Sequence, residues 1–183
     1  MVMEKIKYRA TVDGPYLSRV DIVDKITDEK HVPFDLYLIE NNESELPVDI
    51  CNDWPDFLPN TMIYPIVSKR LMKLIREYLT GHEAVYWIPV QVKTNTQNVQ
   101  YFILCFESII DSINVNETTF AQNIVLRPVY SSEKLKKLAV FHYPARSWKI
   151  PLAILLEEDL VNAICKSKFQ SGVEFTKVRM DTD

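Results

Sequence analysis

Asp53 to Leu79, DWPDFLPNTMIYPIVSKRLMKLIREYL, is the stretch whose reading decides the fold. Its second half is the clearest amphipathic helix in the chain. Val67, Leu71, Leu74, Ile75 and Tyr78 recur at the i, i+3, i+4 steps that build one buried stripe, with Leu79 beside them. Lys69, Arg70, Lys73, Arg76 and Glu77 take the other positions, so the outer face is wet and mostly basic. Ser68 suits the N-cap, where its hydroxyl accepts an orphan amide of the first turn. Gly81 lies where a left-handed residue would end the helix. Upstream, Pro55, Pro59 and Pro65 fix their own φ and hold the preceding residues out of the α region. Trp54 to Tyr64 is therefore expected to run extended, laying Trp54, Phe57, Met62 and Ile63 on the core like a strap.

Outward from this stretch, the chain reads as strands. Lys5–Val12 alternates as an opening strand, Asp13-Gly14-Pro15 is a turn by composition, and Tyr16–Ile26 fits a strand or irregular chain equally. Phe34–Ile39 is a strand with Phe34, Leu36 and Leu38 on one face. Ala84–Lys93 and Val99–Phe106, joined by polar Thr94–Asn98, form a hairpin. Pro89 cannot donate to a ladder, which places it at an edge or a bulge. The unbroken apolar run Tyr101–Leu104 implies a strand covered on both faces. Ile124–Tyr130, Leu138–Tyr143 and Lys149–Leu156 follow as strands. A second helix spans about 157–170, with acid at its positive end and Gly172 as its cap. Val173–Val178 returns as a strand. The expectation is a single α+β domain over residues 1–183, strand-rich, with a mixed or antiparallel sheet and two main helices at about 67–79 and 157–170.

Composition narrows the chemistry. The 183 residues are 47% hydrophobic and 25% charged, ordinary for a globular chain, with net charge −4. That balance argues against a general nucleic-acid binder. The charge is lopsided. Between His31 and Ser68 there are seven carboxylates (Asp35, Glu40, Glu43, Glu45, Asp49, Asp53, Asp56) and no Lys or Arg, leaving the rest of the chain with 21 cations against 18 acids. Such a run is ordinarily a solvated face, and alternatively a patch for a basic partner. Cys51, Cys105 and Cys165 read as reduced thiols, with Cys105 and Cys165 in apolar stretches and expected buried. The N-terminus MVMEKIKYRA has no apolar h-region, and no apolar run reaches membrane-spanning length, so a cytoplasmic protein is expected.

No catalytic, cofactor or metal constellation is legible. The only glycines, Gly14, Gly81 and Gly172, are too dispersed for a phosphate loop, a dinucleotide fingerprint or a nucleophile elbow. His31, His82 and His142 have no ligand-spaced partner. His142 beside Phe141 and Tyr143 reads as a packed strand residue before it reads as a base for Cys51. Asp53 and Asp56 read as carboxylates that satisfy backbone amides around the prolines before they read as an acid/base pair.

The wording P-D-F-L-P-N-T-M-x-x-P-I-V-S over residues 55–68, followed by a helix, resembles the bacterial polymorphic-toxin immunity proteins of the family numbered eleven, with the group numbered forty-three a close relative. Trp87-Ile88-Pro89-Val90, then Tyr101-Phe102-Ile103-Leu104 leading into Ile109-Ile110-Asp111, and the ending Gly172-Val173-Glu174-Phe175 agree in order. The resemblance covers roughly residue 45 to the end. The chain departs from the family in Ile63-Tyr64 before Pro65 and in the stretch Glu117–Lys137. The resemblance implies a non-enzymatic protein, without cofactor or metal, that neutralises a cognate toxin domain by direct contact. The partner surface expected is the acidic window (Glu40, Glu43, Glu45, Asp49, Asp53, Asp56) facing a basic toxin, with Tyr64, Tyr86, Arg146 and Trp148 as anchors. The alternative is a small-ligand or sensory domain with an aromatic-lined pocket.

Overall fold

The computed structural model describes residues 7–12, 19–22, 34–39, 54–58, 60, 64–93, 98–122, 124–143, 151 and 153–181. The chain is strand-rich α+β, as its periodicities require. One sheet has five strands in the order β2 (Arg19–Ile22), β3 (Phe34–Ile39), β5 (Val85–Lys93), β6 (Asn98–Phe106) and β4 (Ile66–Ser68). It is antiparallel except where β3 and β5 run parallel. A second, wholly antiparallel sheet runs β11 (Val173–Lys177), β1 (Lys7–Val12), β10 (Ile154–Glu157), β9 (Val140–His142). A short ribbon, β7 (Thr119–Ala121) with β8 (Ile124–Arg127), stands apart from both. Three helices complete the fold: α1 (Lys69–Tyr78), α2 (Ser132–Leu135) and α3 (Glu158–Lys166). No helix among the described residues is long and apolar enough to cross a membrane.

Both faces of β6 are buried, as its unbroken apolar run demands, and they serve different cores. Leu104 and Phe106 join the largest cluster, which takes Leu71, Met72 and Ile75 from α1, Leu160, Val161 and Ile164 from α3, and Val140, Ile154, Leu156 and Val173 from the second sheet. Tyr101, Ile103 and Cys105 point the other way, packing with Ile66, Ile88, Val90, Val92 and Leu58. β9 and β10 divide in the same manner. Their alternate residues Phe141 and Leu155 form a third cluster with Tyr130, Leu135 and Leu138.

The hairpin β5–β6 is in register from Val85↔Phe106 to Lys93↔Asn98. Pro89 belongs to an interior strand, yet the parallel ladder with β3 begins only at Phe34↔Val90. The proline thus sits one residue ahead of that ladder, where its missing donor removes no bond to β3.

The helix ends differ in detail from expectation. Val67 belongs to β4, and α1 begins after Ser68, whose Oγ accepts from the Leu71 amide at 3.2 Å. Its C-cap, Leu79, is extended, so Gly81 (φ +87°) serves the following turn and not the helix end. Gly172 does not cap α3. Lys168 takes the left-handed position (φ +58°), with its amide donating to the Cys165 carbonyl and the Phe169 amide to that of Ile164. These two bonds are a Schellman ending. The segment Ser132–Leu135, which lies between two of the expected strands, forms a helical turn capped by Ser131.

The strap is in place. Leu58 N–H donates to the Ile66 carbonyl, Ser68 N–H to that of Asp56, and Phe57 bridges Val67, so residues 56–58 cover the free edge of β4. Phe57 and Leu58 are core residues and Trp54 is half-buried, while Met62 and Ile63 lie outside the described residues. On the strap's other side, Phe57 N–H donates to the Ser171 carbonyl at 2.9 Å. Gly172 is the point of closest approach, for a Cβ there would lie 2.1 Å from the Phe57 carbonyl oxygen. Gly172→Ala therefore combines a left-handed φ of +81° with a backbone clash, and should cost roughly 3 kcal/mol or more. Gly81→Ala meets nothing within 4 Å and should cost about 1–2 kcal/mol from strain alone. Urea denaturation of the two variants measures the difference.

Candidate interaction site

Asp56 does not present its carboxylate to a partner. It is 0% exposed. Arg70 holds it bidentately, Nε to Oδ1 at 2.6 Å and an Nη to Oδ2 at 2.8 Å. Ser68 and Ser171 donate their hydroxyls to it at 2.7 and 3.0 Å. The Asp56 amide donates back to Ser171 Oγ at 2.8 Å. One carboxylate thus fastens the strap, the start of α1 and the loop after α3. Arg70, over half exposed, lies with its guanidinium 4.9 Å from the Phe169 ring centroid. The expectation that Asp56 is part of an acidic docking surface is corrected. The helix opens with Lys69 and Arg70 and no acid in its first turn, so Asp56 supplies from outside the negative charge the helix dipole favours there. Glu40, Glu43, Glu45, Asp49 and Asp53 lie outside the described residues, as do Arg146, Trp148 and Cys51.

Tyr64 and Tyr86 are half-buried and meet at Cys105. Burial pushes the Cys105 thiol up to about 12, against a smaller opposing hydrogen bond with Tyr86. Burial also raises the Tyr64 hydroxyl, with the Cys105 charge adding to it. Tyr101, opposite Val90, donates its hydroxyl to the Pro55 carbonyl at 2.6 Å, and its ring lies 6.1 Å from that of Trp54. Cys165 is exposed on α3, not buried as its apolar neighbours suggested, because it falls on the outer face of the helix.

His142 is 0% exposed, with its ring edge-on to Phe106 at 5.0 Å. The Ile110 amide donates to Nε2 at 2.9 Å, which requires Nδ1 to carry the proton, and Nδ1 donates to the Tyr143 carbonyl at 2.9 Å. Both nitrogens serve the backbone, as a packed strand residue would.

Two further carboxylates are structural, and the sequence reading had not singled them out. Glu83 is 1% exposed and accepts from the amides of Thr80, Gly81 and Ala139 at 2.9–3.1 Å, tying the turn after α1 to the approach to β9. Asp181 accepts from the Ser132 amide at 2.7 Å and from Asn114 Nδ2 at 3.1 Å. Burial pushes both groups up, but the hydrogen bonds outweigh it and hold both below their usual range.

Asp181 anchors the most conspicuous surface feature, a β-arm from Ser112 to Ser131. At its base the Ser131 amide donates to the Ser112 carbonyl, Ile113 pairs with Tyr130, and the Asn114 amide donates to the Val129 carbonyl. The Tyr130 amide and carbonyl bond to Arg179 and Asp181 of the C-terminal segment. Lys134 spans from α2 to Asp111 and the Ile113 carbonyl. Ser112, Val129, Tyr130 and Ser131 are buried, whereas every described residue from Thr119 to Arg127 except half-buried Val125 is exposed. The tip is nonetheless apolar. Phe120 pairs with Val125 and Ala121 with Ile124, so Phe120 and Val125 share one face while Ala121 and Ile124 share the other, and Leu126 is the extra residue where the register slips. Phe120 is 40% exposed, Ile124 65% and Leu126 58%; with Ile109 and Val115, these are all the large exposed hydrophobics among the described residues. A solitary exposed leucine is ordinary, but this concentration in eighteen residues is not. Of this ribbon the sequence reading had only the second strand, within Ile124–Tyr130, and it gave Thr119–Ala121 no element.

Asp56→Asn should cost roughly 3 kcal/mol in urea denaturation, since it strips charge from a buried bidentate pair. Arg70→Lys should cost less but more than 1 kcal/mol, having lost the fork that matches two oxygens. Acid titration supplies a separate check. Because Glu83 and Asp181 ionise more readily folded than unfolded, their stabilisation is complete above their ordinary values of 4.5 and 3.8 and fades as pH falls through the folded values. Glu83→Gln should flatten the loss of stability below pH 4.5, measured by melting temperature against pH.

Comparison of the chain with protein-family models finds no match, and comparison with curated proteins finds none either.

Proposed function

We propose that the chain is an immunity protein, a non-catalytic binder that neutralises one cognate bacterial toxin domain by occluding it. Two things support this reading. The wording of residues 55–68 and the later pieces resemble that class of protein, and the arm tip offers apolar side chains on both of its faces. The second observation carries it. Leaving Phe120, Ile124 and Leu126 in water has no folding benefit, whereas seating them in a partner removes apolar area at about 25 cal/mol per Å². A two-sided tip fits a cleft better than a flat surface, and occupying a cleft is an economical way to inhibit an enzyme. An interface of ordinary size buries roughly 800 Å² per partner. The arm would supply its apolar centre. The net negative charge of residues 31–68, with Asp56 subtracted, would speed the encounter with a basic toxin.

The test is co-expression with the toxin encoded immediately upstream. Wild-type protein should protect the cells. Ile124→Asp with Leu126→Asp should abolish protection and weaken the isolated complex at least about 30-fold, the loss of about 2 kcal/mol expected of a hot spot. Both positions are exposed, so the melting temperature should shift by only a few degrees. Cells that die despite abundant soluble wild-type protein would overturn the reading. Protection by the double variant would remove the arm from the interface.

A further inference from the structure

We infer that the outward face of α1 and the end of α3 form one basic surface, which takes a short acidic segment of another protein. The two helices meet in the main core, to which α1 gives Leu71 and Ile75 and α3 gives Leu160 and Ile164. The Arg70 guanidinium lies 4.9 Å from the Phe169 ring centroid, and Asp56 joins Arg70 to Ser171. The residues just after α3 therefore lie against the start of α1. Lys69, Lys73 and Arg76 are exposed on α1, and Lys166 and Lys168 are exposed at and just beyond the end of α3. None of these five side chains forms an ion pair or a hydrogen bond among the described residues.

Folding gains nothing from this arrangement. Lys69 stands at the first position of α1, where the helix dipole favours an acid, and the first turn holds none. Lys69 and Lys73 are four residues apart, and Lys73 is three from both Arg70 and Arg76. At those spacings like charges on a helix repel. Asp56 offsets Arg70 alone, because it is buried and its oxygens are taken by that guanidinium and two serines. Carboxylates brought by a partner would relieve the repulsion that remains.

The extent of the surface selects the occupant. From Lys69 to Arg76 the helix advances only about 10 Å. Beyond that the sign changes. Glu77 follows Arg76 on α1, Glu158 and Asp159 hold the opposite end of α3, and exposed Glu174 stands on β11. Duplex nucleic acid and an anionic bilayer carry continuous negative charge and would meet these acids along with the lysines. A run of a few Asp or Glu residues fits between them. Lysine ammoniums, point charges without a fork, suit carboxylates that arrive singly and from any direction. A basic toxin would be repelled here, so this contact is additional to the neutralisation reading and does not rest on it.

Titration of the full chain with an acetylated peptide of about six alternating Asp and Glu residues, followed by amide NMR shifts, tests the inference. The shifts should concentrate on residues 69–76 and 166–171. They should fade as salt rises from about 20 to about 300 mM, which shortens the screening length about fourfold. Lys73→Gln with Lys168→Gln should weaken peptide binding at least about fivefold, the loss of two surface ion pairs. Arg127→Gln with Lys136→Gln removes the same charge elsewhere on the surface and should change binding less than about twofold. Shifts scattered over basic residues throughout the chain, or equal weakening by the two double variants, would reduce the effect to net charge and overturn the inference. A preference of these amides for duplex DNA or phosphatidylserine vesicles over the peptide at equal charge would overturn it too. The shifts are read on the wild-type chain, so a variant that fails to fold leaves the decision intact. No toxin takes part, so failure here is separate from failure of the neutralisation reading.

Discussion

A single buried carboxylate, Asp56, is the constraint around which three otherwise separate pieces of the chain are set. Arg70 and Ser68 come from the start of α1, Ser171 from the loop beyond α3, and Asp56 from an extended segment preceding both. Fully desolvated charge is tolerable only when every lone pair is engaged, and here four donor contacts reach the two oxygens. Position follows from this demand. The strap must run extended for Asp56 to reach Arg70, and Gly172 must lack a side chain for Ser171 to reach Asp56. With those two conditions met, Phe57 enters the main core from one face of the strap while Leu58 enters the second core from the other. The edge of β4 is covered as a consequence and needs no separate device.

Much of this was legible in the residues and some of it was not, for identifiable reasons. The long periodic segments read well: the first helix, the hairpin β5–β6, the strand Phe34–Ile39 and the two-faced burial of β6 all follow from local pattern. Ser68 as a cap is a local rule too. The errors came where a distant segment decides. Asp56 reads either as a carboxylate for backbone amides around the prolines or as one of seven acids in a window without cations, and neither reading gives its side-chain partners Arg70, Ser68 and Ser171, the first and last of which tertiary folding brings up. Gly172 sits a few residues beyond a helix and so reads as its cap. Its real duty is steric, set by Phe57, 115 residues earlier in the chain. Cys165 reads as buried from the company of Ile164, but helical rotation turns it outward. Glu83 and Asp181 carry no motif, because a carboxylate that gathers backbone amides is recognised by where those amides come from.

The distribution of apolar surface separates what the fold needs from what it does not. β6, β9 and β10 send alternate residues into different cores, so nearly every apolar side chain of these three strands is used. The arm breaks that economy at its tip while its base is bonded as carefully as any strand. Ser112, at that base, has the one buried side-chain oxygen without a hydrogen-bond partner among the described residues. A firm root under an exposed apolar tip limits the ordering entropy lost when the tip is covered, since the backbone is already in the shape it will keep.

The spacing of the fastenings also bears on how the molecule is made. The bonds between Asp56 and Ser171 span 115 residues, and β1 at the beginning of the chain lies between β10 and β11 near its end. During synthesis the hairpin β5–β6 and the first helix can form as they emerge, but neither the second sheet nor the closure over Asp56 can be completed until Ser171 and β11 have left the ribosome. Non-local pairing of this kind slows the search for the native state. Until then Asp56 has only Ser68 and Arg70 within reach, and waits for the serine that follows them by a hundred residues or more.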